Sequence, residues 1–424
     1  MFKNINNQYS YTFIVNLVGI VIGFFVSIYI ARNLGVVNLG IFNLATQISG
    51  LILVLSLFGV PISLMKNMSI AIGLKRYLRA NLILKSSNLL VLMLSIGLVL
   101  ISIPFIDFVS VRIFNEPLLK FPLLIALLSV IPLNLSSNYA SAINAYNKNW
   151  QSLFFKSTLR LVLIVIMLFA LEVVGLAINL KNVVIVYGLA RLFLFIISYL
   201  YFNKIRIGKI VSKTTIKPIF YMAFPFFVLQ AVRVVYSSTD SLMLGSLLSA
   251  KDVGLYGIAF RLADLSNSIL IVVGTVVSPR ILYYFANNKI LEIEKLLQVT
   301  TKYLALFGLV GFIIVLFFGN KILLIWGQDF VEAYWLLVVL YAGQFFNFIF
   351  GLSVLLLTLC GEEKLWSKIM LYFTVLNIFL NYVLITLFGN IGAAISTALL
   401  LMITNCAAYY FVNERFSIKI FKFV

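Results

Sequence analysis

Leu89–Ile103 reads LLVLMLSIGLVLISI, and Leu123–Ile131 reads LLIALLSVI, without a charge or an amide in either. A lipid-facing strand alternates apolar and polar residues over about ten positions. These stretches are apolar on every side, so they are helical. About 20 apolar residues at 1.5 Å rise match the roughly 30 Å hydrocarbon layer of a bilayer. Working outward, nearly every window of the chain repeats this pattern. Of the 424 residues, 63% are hydrophobic and 11% charged, and the mean hydropathy is +1.11. A water-soluble fold has no interior large enough for that much apolar surface. The reading is an all-α integral membrane protein of about 12 transmembrane helices. The spans are expected at about 10–31, 38–65, 80–105, 119–145, 152–174, 182–203, 218–247, 251–276, 297–319, 331–359, 366–388 and 391–412.

The cations divide unevenly between the gaps. Those after even-numbered spans, with their flanking turns and both termini, hold 23 of the 32 Lys and Arg, among them Lys3, Arg76, Arg79, Lys156, Lys209, Lys213, Lys217 and Lys422. The opposite gaps hold only Arg32, Arg112, Lys120, Lys181, Lys251 and Lys321. This is the positive-inside pattern, and it predicts both termini in the cytoplasm of a multi-pass protein. The net charge of +19 is then an orientation device facing anionic lipid, and nucleic acid drops out as a partner. Lys3 precedes a long first span with no small-residue cleavage site, which reads as an uncleaved helix rather than a signal peptide.

The halves echo each other. Leu39-Gly40-Ile41-Phe42 and Val253-Gly254-Leu255-Tyr256 lie 214 residues apart, and Lys148-Asn149-Trp150 and Lys364-Leu365-Trp366 lie 216 apart. Two matches at nearly one offset predict a duplicated six-helix unit, with lobes at 1–208 and 209–424. Because six is even, the repeats are parallel, an arrangement that places a ligand path near the membrane midplane in transporters.

Ionisable residues inside spans are costly and mark function unless paired away. Here they are Arg191, Arg233, Asp240, Arg261 and Asp264. Along an antiparallel hairpin turning near Ser249, which can cap the eighth span together with Asp252, the spacing predicts ion pairs Arg233–Asp264 and Asp240–Arg261. Either these four charges only neutralise one another, or they line a hydrated cavity in which the arginines exchange carboxylates for an anionic ligand. Arginine suits phosphate because its planar fork donates bidentately and stays charged. A released carboxylate offers a route to proton coupling. Polar residues at Asn16, Gln47, Gln230, Gln344 and Asn347 add to such a cavity, or serve as glue between helices. Pro225 is expected to kink the seventh span.

No cofactor, metal centre or catalytic residue is expected. There is no histidine, and the two cysteines, Cys360 and Cys406, sit in or at the end of apolar helices. A Gly-rich phosphate loop is missing, and all loops are too short for a catalytic domain.

Ile30-Ala31-Arg32-Asn33-Leu34-Gly35 followed by Leu39-Gly40-Ile41-Phe42 resembles the first-hairpin signature of the bacterial polysaccharide flippases. These are the O-antigen and exopolysaccharide repeat-unit exporters of the multidrug/oligosaccharidyl-lipid/polysaccharide superfamily. Asp240 with Leu242-Met243-Leu244-Gly245, then Val253-Gly254-Leu255-Tyr256, looks like the matching later signature, as do Gly361-Glu362-Glu363-Lys364 and Ile391-Gly392-Ala393-Ala394. The resemblance implies a fold like that of the multidrug and toxin exporters. It further implies a non-enzymatic flippase that turns an undecaprenyl-pyrophosphate-linked oligosaccharide from the cytoplasmic to the outer leaflet of a bacterial inner membrane by alternating access. That activity would serve lipopolysaccharide, capsule or exopolysaccharide assembly. On this reading Arg191, Arg233 and Arg261 hold the pyrophosphate, Asp240, Asp264 and Arg32 couple or gate transport, and the polysaccharide polymerase machinery is a further partner. The alternatives are a cation-coupled multidrug exporter of the same fold, disfavoured because spans one to four carry no carboxylate, and a membrane glycan polymerase or ligase, disfavoured by the short outer loops.

Overall fold

The computed structural model describes residues 2–208 and 214–420, and no strand occurs among them. Of the cations in the charge pattern, Lys209, Lys213 and Lys422 lie outside the described residues. The helices are α1 (Phe2–Leu57), α2 (Val60–Gly73), α3 (Tyr77–Ser102), α4 (Lys120–Leu128), α5 (Val130–Ala145), α6 (Asn149–Leu153) and α7 (Leu159–Val173). They continue with α8 (Leu180–Ile205), α9 (Ile216–Leu247), α10 (Ala250–Ala286), α11 (Ile290–Leu324), α12 (Tyr334–Leu359), α13 (Glu363–Phe388) and α14 (Asn390–Phe416).

Eleven helical segments among the described residues are long and apolar enough to cross a membrane, and the first, Tyr11–Gly73, is 63 residues long. At 1.5 Å per residue that is about 95 Å, three times the hydrocarbon thickness. Gly35 breaks it with φ 69° and ψ 176°, a conformation open to glycine and strained for other residues. The segment therefore accounts for two of the expected crossings. One glycine turns the chain where the spacing predicts a loop between spans one and two. The second expected span, 38–65, is also interrupted, by the left-handed pair Phe58 (φ 50°) and Gly59 (φ 68°).

Two compact units divide the chain, Met1–Val235 and Tyr236–Val424. The first half of α9 groups with the first unit, and the reason is local. Phe58 is sandwiched between Phe220 and Phe227 of α9, with ring centroids 4.5 Å away on each side. Gly59 packs against α9 backbone at Ala223 and Phe227. Ala223 and Ile219 complete an apolar cluster with Leu57, Val60, Leu64 and Ile143. The first half of α9 is thereby fastened to the N-terminal helices. Pro225 lies inside α9, which runs on as one helix; it lacks the N–H that would satisfy the Tyr221 carbonyl.

In the second unit α12 and α14 pack closely, since a Cβ on Gly343 would lie 2.7 Å from the Ala398 backbone. The small residues Gly392, Ala393 and Ala394 of α14 are buried, and Gly392 lies against the Leu384 backbone of α13, a close approach that small residues permit. Ser249 caps α10: its Oγ accepts from the Asp252 N–H at 3.3 Å and donates to Asp252 Oδ2 at 2.6 Å.

The units differ in charge. The first holds 20 Lys and Arg against three Asp and Glu, a surplus of 17; the second holds 12 against ten, a surplus of two. The three acids of the first unit are Asp107, Glu116 and Glu172. Lys120 Nζ lies 2.8 Å from Asp107, and Tyr29 donates to Glu172. The surplus of the first unit must find its counter-charge beyond these acids.

Candidate functional site

A cavity of about 590 Å³ opens within the first unit between the start of α1, the α1–α2 break, the end of α5, the start of α6 and the middle of α9. Its floor is apolar, with Leu57, Pro61, Ile62 and Met65. Polar groups converge from the other sides. Ser137, Ser141 and Asn144 come from α5, Asn149 and Ser152 from α6, and Gln230 and Arg233 from α9. The α5 residues lie at spacings of four and three, and Gln230 and Arg233 at three, so each set lies on one helix face.

Lys156 enters the same cavity from a π-helical turn, Phe154–Thr158, between α6 and α7. A π turn widens the helix by one residue and is characteristic of functional sites. Both cations are exposed to the cavity. Among the described residues neither Lys156 nor Arg233 has an ion pair, and Asn144, Asn149 and Gln230 make no side-chain hydrogen bond. The arrangement is two cations over a ring of amides and hydroxyls, the chemistry that holds a phosphate with attached sugar hydroxyls.

Arg191 lies elsewhere. It is buried beside the α4–α5 junction, where Nη1 donates to Ser129 Oγ at 2.8 Å and the Ala126 carbonyl at 3.5 Å. It borders a separate small hollow with Phe42 and Tyr187. Arg32 and Asn16 are exposed, and Gln47 is half-buried and hydrogen-bonded or otherwise engaged.

The second unit holds a different centre. Asp240, on α9, is 6% exposed. Its Oδ2 accepts from Tyr256 Oη and Thr397 Oγ1, both at 2.7 Å. Its Oδ1 accepts from Asn381 Nδ2 at 2.7 Å and Asn377 Nδ2 at 3.4 Å. The expected Asp240–Arg261 ion pair is therefore absent. Arg261 is exposed on α10, and the carboxylate is taken up by four neutral donors on α10, α13 and α14. Asp264 accepts from Asn267 at 3.5 Å.

A buried carboxylate with no cation beside it is costly unless it carries a proton or binds a cation. The Oδ1 atoms of Asn377 and Asn381 are buried without partners. Among the described residues no cluster of three or more His, Cys, Asp or Glu exists to hold a transition metal.

Gln344 and Asn347, both expected cavity residues, form an internal relay. Asn347 Nδ2 donates to Gln344 Oε1 and Asn405 Nδ2 to Asn347 Oδ1, both at 3.2 Å. Sequence reasoning missed Lys156, Asn144 and Asn149 of the cavity and Asn377, Asn381 and Thr397 of the carboxylate centre. The i, i+4 spacing of Asn377 and Asn381 in an apolar helix was a usable signal. The π turn under Lys156 left none.

Fold and site together define a multi-pass helical membrane protein with the architecture of the multidrug/oligosaccharidyl-lipid/polysaccharide superfamily. A multidrug-resistance transporter of that superfamily, solved facing inward, aligns over 96% of this chain and 94% of its own, with a TM-score of 0.75 at 14% identity. The lipid II flippase MurJ aligns over 96% and 87%, with a TM-score of 0.71 at 17% identity. Residues 6–285 match the polysaccharide biosynthesis protein family, and the chain belongs to it. Residues 225–383 also match the MatE family. Among its relatives, the probable low-salt glycan biosynthesis flippase Agl15 of Haloferax volcanii is 24% identical over 43% of this chain. The probable flippase AglR of the same organism is 29% identical over 39% of it. These matches span 39% and 36% of the relatives' own lengths.

Proposed function

We propose that this protein is a non-enzymatic flippase for a lipid-linked oligosaccharide, whose phosphate or pyrophosphate headgroup occupies the cavity of the first unit. The observation that carries the reading is the pair Lys156 and Arg233, two cations without ion pairs that face a ring of amides and hydroxyls in a unit with a surplus of 17 positive charges. The cations take the phosphates, the amides and serines take the first sugar, and the polyprenyl chain stays in lipid. Translocation follows from alternating exposure of the cavity to the two membrane surfaces. The carboxylate centre at Asp240 supplies cation or proton coupling. Membership in a polysaccharide biosynthesis family and likeness to two archaeal flippases support the substrate class. The carrier is an undecaprenyl chain in a bacterial inner membrane, or the corresponding polyprenyl carrier in an archaeal one, upstream of a glycan polymerase or transferase.

The test is a proteoliposome assay with a fluorescent polyprenyl-pyrophosphate oligosaccharide and an impermeant quencher. Wild-type protein should expose the outer pool and then the inner pool to quenching. Lys156→Gln with Arg233→Gln should slow the second phase at least tenfold, while Arg233→Lys keeps most of it. Equal rates for wild type and the double glutamine variant would overturn the assignment.

A further inference from the structure

A basic groove lies apart from the cavity, at the edge of the first unit where α2 ends and α9 begins. There a groove of about 240 Å³ is lined by Arg76 and Arg79 with the polar residues Asn67 and Thr215, and its wall is Ile70, Leu74 and Met222. The α2–α3 turn builds it. Lys75 takes a left-handed φ of 58°, and the N–H groups of Lys75 and Arg76 bond back to the Ile72 and Ala71 carbonyls at 2.8 Å. That tight turn sets Arg76 before the first turn of α3 and Arg79 within it. The opposite wall is fixed where the Thr215 N–H donates to Ser86 Oγ at 3.0 Å.

Two features identify the occupant. Arg76 and Arg79 are exposed and carry no ion pair among the described residues. The acids of this unit, Asp107, Glu116 and Glu172, belong to other connections. Beside the arginines the surface turns abruptly apolar: Ile70, Leu74 and Leu78 are 54%, 58% and 62% exposed. An apolar belt that ends on two guanidinium groups matches one molecule in cross-section, an acyl-chain lipid with a phosphate headgroup. A free phosphate would use the arginines and leave the apolar wall idle.

We propose that this groove binds the phosphate of an anionic membrane lipid, with Arg76 and Arg79 on the headgroup and an acyl chain along Ile70, Leu74 and Met222. The site is separate from the cavity residues Lys156 and Arg233, so its failure and theirs are distinguishable. Its role is to hold the α2–α3 turn and the start of α9 against the bilayer surface.

The test uses the full chain in nanodiscs of zwitterionic lipid, titrated with phosphatidylglycerol and followed by native mass spectrometry. Wild type should retain one anionic lipid. Arg76→Gln with Arg79→Gln should weaken retention by about thirtyfold, the effect of two cations at an anionic surface. Lys364→Gln with Lys368→Gln removes the same charge from exposed positions elsewhere and should leave retention intact. Inorganic phosphate at millimolar concentration should not displace the lipid. Equal retention by the Arg76/Arg79 variant, equal loss in the Lys364/Lys368 variant, or displacement by phosphate would each overturn the proposal.

Discussion

Asp240 on α9 accepts a hydrogen bond from Asn381 on α13 at 2.7 Å, and among the described residues no cation accompanies this buried carboxylate. The pair ties helices 141 residues apart in sequence around one ionisable oxygen. If the centre couples transport to an ion, Asp240→Asn keeps the shape and removes the charge; its oxygen can still accept from Asn377 and Asn381, while its NH2 must donate to the Tyr256 and Thr397 hydroxyls, which can turn to accept. Transport driven by an imposed sodium or proton gradient should then fall to the rate seen without a gradient. Downhill exchange should change by less than about threefold, since one neutral amide replaces one hydrogen-bonded carboxylate. An undiminished gradient response in the variant would remove Asp240 from coupling.

Lys156 and Arg233 face one cavity from different helices, so their contributions to an anion should be coupled. Each single glutamine variant should cost about 2 kcal/mol of headgroup binding, in the range of a charge-assisted hydrogen bond. The double variant should cost less than the sum, because one cation removed leaves the phosphate freer to shift. Titration of a short-chain pyrophosphate glycolipid into wild type and the three variants measures this. Strict additivity would place the two cations on separate ligands.

Much of the fold was legible in the chain. Runs such as Leu89–Ile103 dictate helices and membrane, and the Ser249–Asp252 cap was readable from spacing alone. The partner of Asp240 was not legible. Helical spacing along the α9–α10 hairpin brings Arg261 near in height, but the rotation of each helix about its axis decides which side chains meet. That rotation is set by α13 and α14, which pack their Asn377, Asn381 and Thr397 against the carboxylate. Arg191 escapes the predicted grouping for the same reason: depth in the membrane does not say which hollow a side chain enters. The place of the Gly35 break was legible, because Arg32, Asn33 and Asn38 interrupt the apolar run there; that a single glycine turns the chain, with helix on both sides, was not.

Gly59 is the point where the α1–α2 break touches α9 backbone. Its φ is 68°, and a Cβ added there would meet the Phe227 nitrogen and lie 2.7 Å from the Ala223 carbonyl oxygen, so no room is left for a side chain. Gly59→Leu should therefore destabilise the first unit by roughly 3 kcal/mol, from overpacking together with left-handed strain. Thermal unfolding in detergent should show a clear drop in Tm. Gly73→Ala, where a Cβ meets nothing within 4 Å, is the control and should leave Tm within about a degree, as helix propensity favours alanine. A Tm unchanged in Gly59→Leu would mean that α2 is not clamped to α9.

Cys360 follows the last turn of α12 and is 8% exposed. Burial pushes its thiol up to about 11, because desolvation disfavours the thiolate, the form that reacts with maleimide. At pH 7 about one molecule in 10,000 then carries the thiolate, against a few per cent for an unperturbed thiol of pKa about 8.5. Labelling of a Cys406→Ser variant, which isolates Cys360, should be slow at pH 7 and rise about tenfold per pH unit up to about pH 10. A free cysteine placed at the exposed Lys364 position should label rapidly at pH 7 and level off above about pH 9. If Cys360 labelled as fast as that reference at pH 7, the turn between α12 and α13 would be open to water, and the apolar cluster of Leu356, Leu357 and Trp366 around it would not be formed.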